Sequence, residues 1–356
     1  MLDINQYLKL MVEKQASDLF FSTDAPVQIK IDGLMRPVGE KTLPPGLTHE
    51  LAYSLMNEHQ TQVFESDMEM NFSHNVKELG RFRINVYRQR GDVALVIRFI
   101  RNRIPSIQDL NLPDYLQELV MLRSGLVLIV GSTGSGKSTS LASMIEYRNQ
   151  RATGHILTVE DPIEYIHTNK RSLVNQREVG IDTLSYENAL MNGLREAPDV
   201  ILIGEIRDRH TMEQAIRYSE TGHLCLSTLH SNNTTQAVEH IANFFLDTEI
   251  KKISQDLSMN LRAIVSQRLV RDINGKYLPA TEVLVNTPYV AELIARGDFK
   301  RIRETMEQSS DPGTHTFDAN LLELYSAGRI SEETVLQNAD SRNNVTLKMK
   351  LLGAGR

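Results

Sequence analysis

The chain has 356 residues, more than a single hydrophobic core usually organises, so two domains are expected. Its net charge of −6 argues against nucleic acid as a partner, and its one cysteine, Cys225, excludes an internal disulfide and a multi-cysteine zinc site. Its apolar runs are far shorter than the ~20 residues of a membrane-spanning helix, and its first residues lack the order of a signal peptide. We therefore expect a cytoplasmic protein that contacts a membrane only through partners.

The first hundred residues combine helical and strand patterns. Apolar residues at helical spacing in 4–11 precede strand-like runs at 18–21 and 27–31, with Asp32-Gly33 as a hairpin turn. A helical period over 51–64 is followed by strand patterns at 67–73, 81–87 and 93–100. This order predicts an α+β domain, residues 1–101, with helices on an antiparallel sheet, and the prolines of 102–113 predict an interdomain linker.

A basic cluster lies at the end of this first domain. Against the single acid Asp92, residues 81–103 carry seven arginines: Arg81, Arg83, Arg88, Arg90, Arg98, Arg101 and Arg103. One interpretation is a solvated sheet face, the usual role of a charge run. The other is phosphate contact by one or two of these side chains.

The second domain, residues 114–285, is organised around a phosphate loop. Residues 131–139 fit the template G-x-x-x-x-G-K-[ST], directly after the apolar run 126–130 and before a helical stretch. Three glycines permit close backbone approach, Lys137 supplies a cation to the β and γ phosphates, and the Ser138 hydroxyl can ligate Mg²⁺. A chance turn would not need both the Lys-Ser pair and the switch from strand to helix, so the ligand is a nucleoside triphosphate. The expected nucleotide-binding residues are Ser132, Thr133, Gly134, Ser135, Gly136, Lys137, Ser138 and Thr139.

Strands and helices alternate after the loop, as a doubly wound parallel sheet requires. The predicted strands are 155–159, 200–204 and 224–228, the predicted helices are 186–196, 209–220 and 236–245, and 265–270 with 278–285 resembles an edge hairpin. Residues 286–356 read as short amphipathic helices.

Acidic residues follow two of these strands. Glu205 ends the apolar run 200–203, where it could hold Mg²⁺ through water or polarise a nucleophile; an exposed strand-end glutamate is the alternative. The run 160–164 brings Glu160, Asp161 and Glu164 to the same sheet edge, and one of them could instead cap the turn at Pro162. His223 and His230 bracket strand 224–228, so a joint metal site is improbable; His230 lies where a γ-phosphate sensor would be placed.

Together these motifs resemble the secretion ATPase superfamily and, more closely, the type IV pilus retraction ATPases of the PilT/PilU family. The resemblance rests on the segments 16–19, 81–85, 131–139, 156–165, 175–179, 199–205 and 221–230. It implies a PAS-like N-terminal domain, a RecA-like ATPase domain that uses ATP and Mg²⁺, and a homohexameric ring at the cytoplasmic side of the inner membrane. Its implied partners are the pilus inner-membrane platform protein and a paralogous retraction ATPase.

The resemblance also implies roles for single residues. Glu164 would be the catalytic base, Glu205 the magnesium-site glutamate and His230 a phosphate sensor, while Arg83 and Arg98 would be offered by a neighbouring subunit. The missing four-cysteine module favours retraction over extension, and 289–296 departs from the usual PilT sequence toward PilU. The expected function is a hexameric, Mg²⁺-dependent motor for pilus retraction and twitching motility. An accessory ATP-binding ring that docks on a partner motor is the alternative, and a nucleic-acid motor is disfavoured by the net charge.

Overall fold

Two sheets organise the chain, one in each of two units. The computed structural model describes residues 3–31, 33–100, 103–309, 311 and 313–354. The first unit comprises Met1–Arg103 with Glu164–Ile166, and the second comprises Ile104–Ile163 with His167–Arg356. Arg101 of the arginine cluster and Asp32 of the predicted hairpin turn lie outside the described residues.

The first unit contains a six-stranded antiparallel sheet in the order β3-β2-β1-β6-β5-β4 among its described residues. Its strands are β1 (Asp18–Phe21), β2 (Pro26–Ile31), β3 (Leu34–Thr42), β4 (Glu69–Val76), β5 (Gly80–Gln89) and β6 (Asp92–Ile100). Its helices are α1 (Ile4–Glu13), α2 (Leu47–Leu55) and α3 (Glu58–Asp67). The predicted α+β architecture is confirmed.

The helical period over 51–64 does not form one helix. Asn57 starts α3 with a capping box: its side chain accepts from the Gln60 N–H at 2.8 Å, and the Gln60 side chain accepts from the Asn57 N–H at 2.9 Å. Because the backbone at Met56 is extended, α2 ends there (φ −90°, ψ 144°). The prediction of a continuous segment was wrong because an apolar period can run across a cap.

In the second unit the described residues form a seven-stranded sheet in the order β13-β12-β7-β11-β10-β8-β9, parallel except for the β12–β13 pair. Its strands are β7 (Gly125–Val130), β8 (Gly154–Glu160), β9 (Ser172–Glu178), β10 (Val200–Ile203), β11 (Leu224–Leu229), β12 (Leu261–Arg271) and β13 (Tyr277–Val285). Its helices are α4 (Tyr115–Met121), α5 (Lys137–Arg151), α6 (Tyr186–Gly193), α7 (Arg209–Glu220), α8 (Thr234–Ala242), α9 (Ile250–Asn260), α10 (Pro288–Arg296), α11 (Phe299–Gln308), α12 (Phe317–Ser326), α13 (Glu332–Asn338) and α14 (Arg342–Ala354). The alternation predicted for a parallel sheet is confirmed.

Side chains on the two faces of this sheet enter separate cores. On β7, Leu126, Leu128 and Val130 pack into one core, and Val127 and Ile129 pack into the other. All five are fully buried, so this strand is apolar on both faces, as a central parallel strand must be. Because β7 is buried on both faces, its carboxyl end, where the phosphate loop begins, is held firmly in the sheet.

The predicted linker and the C-terminal helices both pack within the second unit. Ile107 and Leu112, from the segment 102–113, are buried in the core that includes Val127. Phe317 of α12 is buried against Val270 at the C-terminal end of β12. The domain boundaries given above stay predictions. Among the described helices, none is both long and apolar enough to cross a membrane.

Helix α5 carries a half-buried acid whose ionisation contributes to stability. Burial alone would raise the pKa of Glu146, but hydrogen bonds with His167, Lys170 and Gln150 outweigh it and hold the pKa at about 2. A depressed acid pKa stabilises the fold above the ordinary carboxyl pKa of 4.5, and this contribution is lost as the pH falls from about 5 toward 2.

We therefore expect Glu146→Gln to lower the free energy of unfolding at pH 7 by about 1–2 kcal/mol, after allowance for solvent screening of the exposed Lys170. Urea unfolding at pH 7, 5 and 4 should show the gap to wild type narrowing as the pH falls. A gap that stays constant over this range would contradict the assignment.

Candidate nucleotide-binding site

The phosphate loop links β7 to α5. Gly131, Gly134 and Gly136 all have positive φ, at 151°, 81° and 90°. A Cβ on Gly131 would come within 2.5 Å of the Gln267 carbonyl oxygen, so a side chain at this position would push β12 away from the loop. The loop therefore takes a closed shape that only glycine at this position permits.

Lys137, the first residue of α5, turns back over the loop. Its Nζ donates to the carbonyl oxygens of Gly131 at 2.9 Å and Ser132 at 3.0 Å, and the residue is only 8% exposed. Burial lowers the pKa of Lys137, and the negative charge of Glu205 opposes that shift. Glu205 follows β10 and the loop follows β7, so both lie at the carboxyl edge of the same parallel strands.

Gln267, on β12, braces the loop from the neighbouring strand. Its Oε1 accepts from the Ser140 hydroxyl at 2.7 Å, and its Nε2 lies 2.8 Å from where a Cβ on Gly136 would be. The residue is 3% exposed. This contact fixes the first turn of α5 against the sheet, and nothing in the local sequence pattern indicated it.

The other loop residues differ in exposure. Ser132, Thr133, Gly134 and Ser138 are exposed, and Thr139 is half-buried. The Ser135 hydroxyl is buried and has no hydrogen-bond partner among the described residues. Exposed loop positions beside an unpartnered buried hydroxyl and a buried lysine suit a polar, anionic ligand.

Glu205 lies two residues beyond β10, and each of its carboxylate oxygens has a nitrogen-bearing side chain beside it. Its Oε2 is 3.1 Å from Nε2 of His230, and its Oε1 forms an ion pair with Arg207. Arg207 also lies 3.8 Å from Asp161. The structure therefore brings the predicted residues Glu205 and His230 together at one sheet edge, with Asp161 linked to them by Arg207.

The predicted metal ligands fit Mg²⁺ bound together with a nucleotide. Mg²⁺ takes one or two protein oxygens and completes its coordination with phosphates and water. The exposed Ser138 hydroxyl and the Glu205 carboxylate supply oxygens of this kind, near the phosphate loop. Within the described residues no group of three or more His, Cys, Asp or Glu side chains could hold a metal ion. The oxygens of Ser138 and Glu205 therefore fit an ion whose remaining ligands are phosphate and water.

The three acids of 160–164 have different surroundings. Glu160 accepts from the Thr158 hydroxyl at 2.7 Å and from the Gln176 amide at 3.1 Å, whereas Glu164 is exposed. A fourth acid, Glu178, caps the turn after Pro162, because its carboxylate accepts from the Ile163 N–H at 3.4 Å. The role of Glu164 as the base stays a prediction.

Arg83 and Arg98 lie directly opposite each other on β5 and β6. The Arg98 guanidinium pairs with Asp18, which is 4% exposed, at 2.7 Å. Like charges that face each other across two strands are unfavourable, and Asp18 offsets the charge of Arg98. The Arg83 side chain has no hydrogen bond or ion pair with another described residue, so its charge is open to an anion.

The two histidines near β11 have separate environments. Nδ1 of His223 lies 3.0 Å from the Thr221 hydroxyl and 3.1 Å from the Tyr218 carbonyl oxygen, at the end of α7. His230 lies at the opposite end of the strand, beside Glu205. His223 is therefore held by partners at the end of α7, apart from the residues around Glu205.

Sequence reasoning missed Arg207 and Tyr186 in addition to Gln267. Tyr186 opens α6, and its buried hydroxyl lies next to Gly204. Burial raises the pKa of Tyr186, as do the nearby carboxylates of Asp161 and Glu205, so the hydroxyl stays protonated. For Arg207, the one sequence feature that could have indicated a role is its position two residues after a strand-end glutamate.

Comparisons with known proteins agree with this geometry. A family model described as "Type II/IV secretion system protein" matches residues 1–335. The type IV pilus ATPase PilU of Pseudomonas aeruginosa is 47% identical over 98% of this chain and 92% of its own length. The type IV pilus retraction ATPase PilT of the same organism is 36% identical over 96% of this chain and all of its own.

A solved structure resembles the whole fold. The crystal structure of the pilus retraction motor PilT with bound ADP has a TM-score of 0.90 and 39% identity, over 97% of this chain and 99% of that one. The expected PAS-like and RecA-like architecture is thereby confirmed. The chain belongs to the type II/IV secretion system protein family and, within it, is a P-loop ATPase of the PilT/PilU group of type IV pilus ATPases.

Proposed function

We propose that the chain is a Mg²⁺-dependent ATP hydrolase that works as a homohexameric motor and powers retraction of type IV pili. One observation carries this proposal: a buried lysine lies over a closed phosphate loop, at the same edge of the parallel sheet where His230 contacts Glu205. The relatives named for pilus retraction and twitching motility support the biological role.

In this mechanism the phosphate loop binds and orients the triphosphate. Lys137 leaves its carbonyl partners for the β and γ phosphates, while the N-terminus of α5 points at the same oxygens. Ser138 and Glu205 would hold Mg²⁺, which supplies neutralisation of the phosphate charge. Because the Arg207 side chain is 62% exposed, its ion pair with Glu205 can open at little cost.

The chemical step is in-line attack of water on the γ-phosphate. Glu164 accepts the proton of that water, and His230 contacts the γ-phosphate from its position beside Glu205. Arg83 and Arg98 offer positive charge from a neighbouring subunit of the ring. Each subunit then needs its neighbour for turnover, which couples hydrolysis around the hexamer.

The choice of Glu164 over Glu205 as the base predicts different losses for the two neutral variants. Glu164→Gln should bind ATP with near wild-type affinity yet turn over at least about 10²-fold more slowly, because an amide cannot accept the proton. Glu205→Gln should instead raise the Mg²⁺ concentration needed for half-maximal rate. Titrations of ATP and Mg²⁺ with both purified variants would check this; normal turnover by Glu164→Gln would move the role of base elsewhere.

The proposed setting is the cytoplasmic face of the inner membrane, where the ring associates peripherally with the pilus platform protein and with a paralogous retraction ATPase. Imaging of labelled pili in a host that lacks its own copy tests the biological role. Cells supplied with the wild-type chain should retract their pili, and cells supplied with Lys137→Ala should not. Equal retraction in both would favour the accessory ring, whose own ATP cycle is dispensable.

A further inference from the structure

The segment between β8 and β9 carries Glu164, and α5 holds that segment near its later end. Asn149, on α5, is fully buried. Its Nδ2 donates to the Thr168 carbonyl oxygen at 2.8 Å, and its Oδ1 accepts from the Lys170 N–H at 3.1 Å. Since one amide end donates and the other accepts, a flipped side chain would lose both bonds.

A second anchor lies one helical turn earlier on α5. Nδ1 of His167 is 3.4 Å from Oε2 of Glu146, and the histidine side chain is 3% exposed. A carboxylate only accepts hydrogen bonds, so His167 carries its proton on Nδ1 in this contact. The backbone N–H of His167 donates to the Gln176 side chain on β9 at 2.8 Å. His167 is therefore fixed to α5 by its ring and to β9 by its backbone.

The near end of the segment is fixed as well. Ile163, the residue before Glu164, is 2% exposed, and its N–H donates to the buried Glu178 on β9. Glu164 thus lies between two anchored residues, Ile163 and His167. The contact that holds His167 comes from Glu146 on α5, the helix that begins with Lys137. One helix therefore carries both the phosphate-binding lysine and the residue that holds the segment after Glu164.

We propose that His167, held by Glu146, is a positioning residue that sets the placement of Glu164 for attack on the γ-phosphate. This inference rests on the proposed function, because it takes Glu164 as the base. His167 does not touch the substrate in this account. It fixes the end of a short segment, and a displacement of about 1 Å at a reacting group can cost ~10²-fold in rate.

The test compares His167→Ala with His167→Asn, with Glu164→Gln as the reference. An asparagine amide can occupy the position of Nδ1 and donate to Glu146, whereas alanine cannot. For His167→Ala we expect kcat to fall at least about tenfold, while the dissociation constant for ADP stays within about twofold of wild type. For His167→Asn we expect most of the wild-type kcat to be recovered. A merely structural role would instead lower the thermal midpoint and nucleotide affinity together with kcat.

The double variant His167→Ala/Glu164→Gln shows whether the effect passes through Glu164. We expect its residual single-turnover rate to match that of Glu164→Gln alone within about twofold, because a misplaced amide costs no more than a placed one. If His167→Ala does not fold, His167→Gln replaces it, since its longer side chain puts the amide near the Nε2 position.

Besides a joint loss of thermal midpoint, nucleotide affinity and kcat, three outcomes would overturn the inference. The first is wild-type kcat for His167→Ala beside an inactive Glu164→Gln. The second is equal rates for the asparagine variant and the alanine or glutamine variant, and the third is a double variant slower than Glu164→Gln. The first leaves the proposed function intact. Normal turnover by Glu164→Gln would instead remove the base itself, and with it the reason for positioning that segment.

Discussion

Lys137→Ala should reduce ATP turnover at least about 10²-fold and weaken triphosphate binding. Lys137 is the loop's only cation, and its Nζ already lies over the loop, within 3.0 Å of the Ser132 carbonyl oxygen. Alanine leaves the charge on the β and γ phosphates without this partner in the transition state. Steady-state hydrolysis and ATP binding by the purified variant give the two quantities.

Lys276→Ala is the matched control for that variant. Lys276 is an exposed lysine in the turn between β12 and β13, so its loss removes the same charge from the chain without altering the loop. Turnover by this control should stay within about twofold of wild type. Wild-type turnover by Lys137→Ala would show that the phosphate loop is not the site of hydrolysis.

Arg83→Ala should also be nearly inactive, with a loss of about 10³-fold, while it still binds ATP. An arginine that neutralises charge in the transition state of phosphoryl transfer contributes about this much. Substitution of Arg83 is a cleaner test than substitution of Arg98, because removal of Arg98 would leave the buried Asp18 carboxylate without its ion-pair partner. Arg36→Ala, an exposed arginine on the opposite edge strand β3, is the control and should be active.

Mixed rings test whether Arg83 acts on a neighbouring subunit. When Arg83→Ala and Lys137→Ala subunits assemble together, some interfaces pair an intact Arg83 with an intact Lys137. Those interfaces should hydrolyse ATP, so the mixture should exceed the summed activity of the two separate variants. Co-assembly is checked by native mass. A mixture that co-assembles and gains no activity, or an Arg83→Ala protein with normal turnover, would contradict sharing between subunits.

Local patterns predicted the parts of the site that depend on neighbours in the sequence. The apolar run before Gly131, the glycine spacing and the Lys-Ser pair specify strand, loop and helix within 20 residues. The proximity of Glu205 and His230 was also predictable, because each follows a strand of one parallel sheet and such ends share an edge. In the structure β10 and β11 are adjacent, and the two side chains meet at 3.1 Å.

Contacts that depend on strand order were not predictable in this way. Gln267 braces the loop because β12 pairs with β7, and no periodicity reports which strands become neighbours. Strand β9 was missed because, as an edge strand, it needs little apolar surface and its sequence is largely polar. The anchor between Glu146 and His167 likewise joins residues 21 positions apart, across a strand and a loop.

Hydrolysis of ATP at the phosphate loop with Mg²⁺ underlies every role proposed for this chain. The most direct test is steady-state turnover by the purified wild-type protein of verified native mass, measured with Mg²⁺ and again with excess chelator. We predict turnover with Mg²⁺ that stops when the ion is removed and that Lys137→Ala lacks. Turnover that persists without divalent ions, or that Lys137→Ala retains, would contradict the account, as would an assembled wild-type protein that binds ATP and does not hydrolyse it.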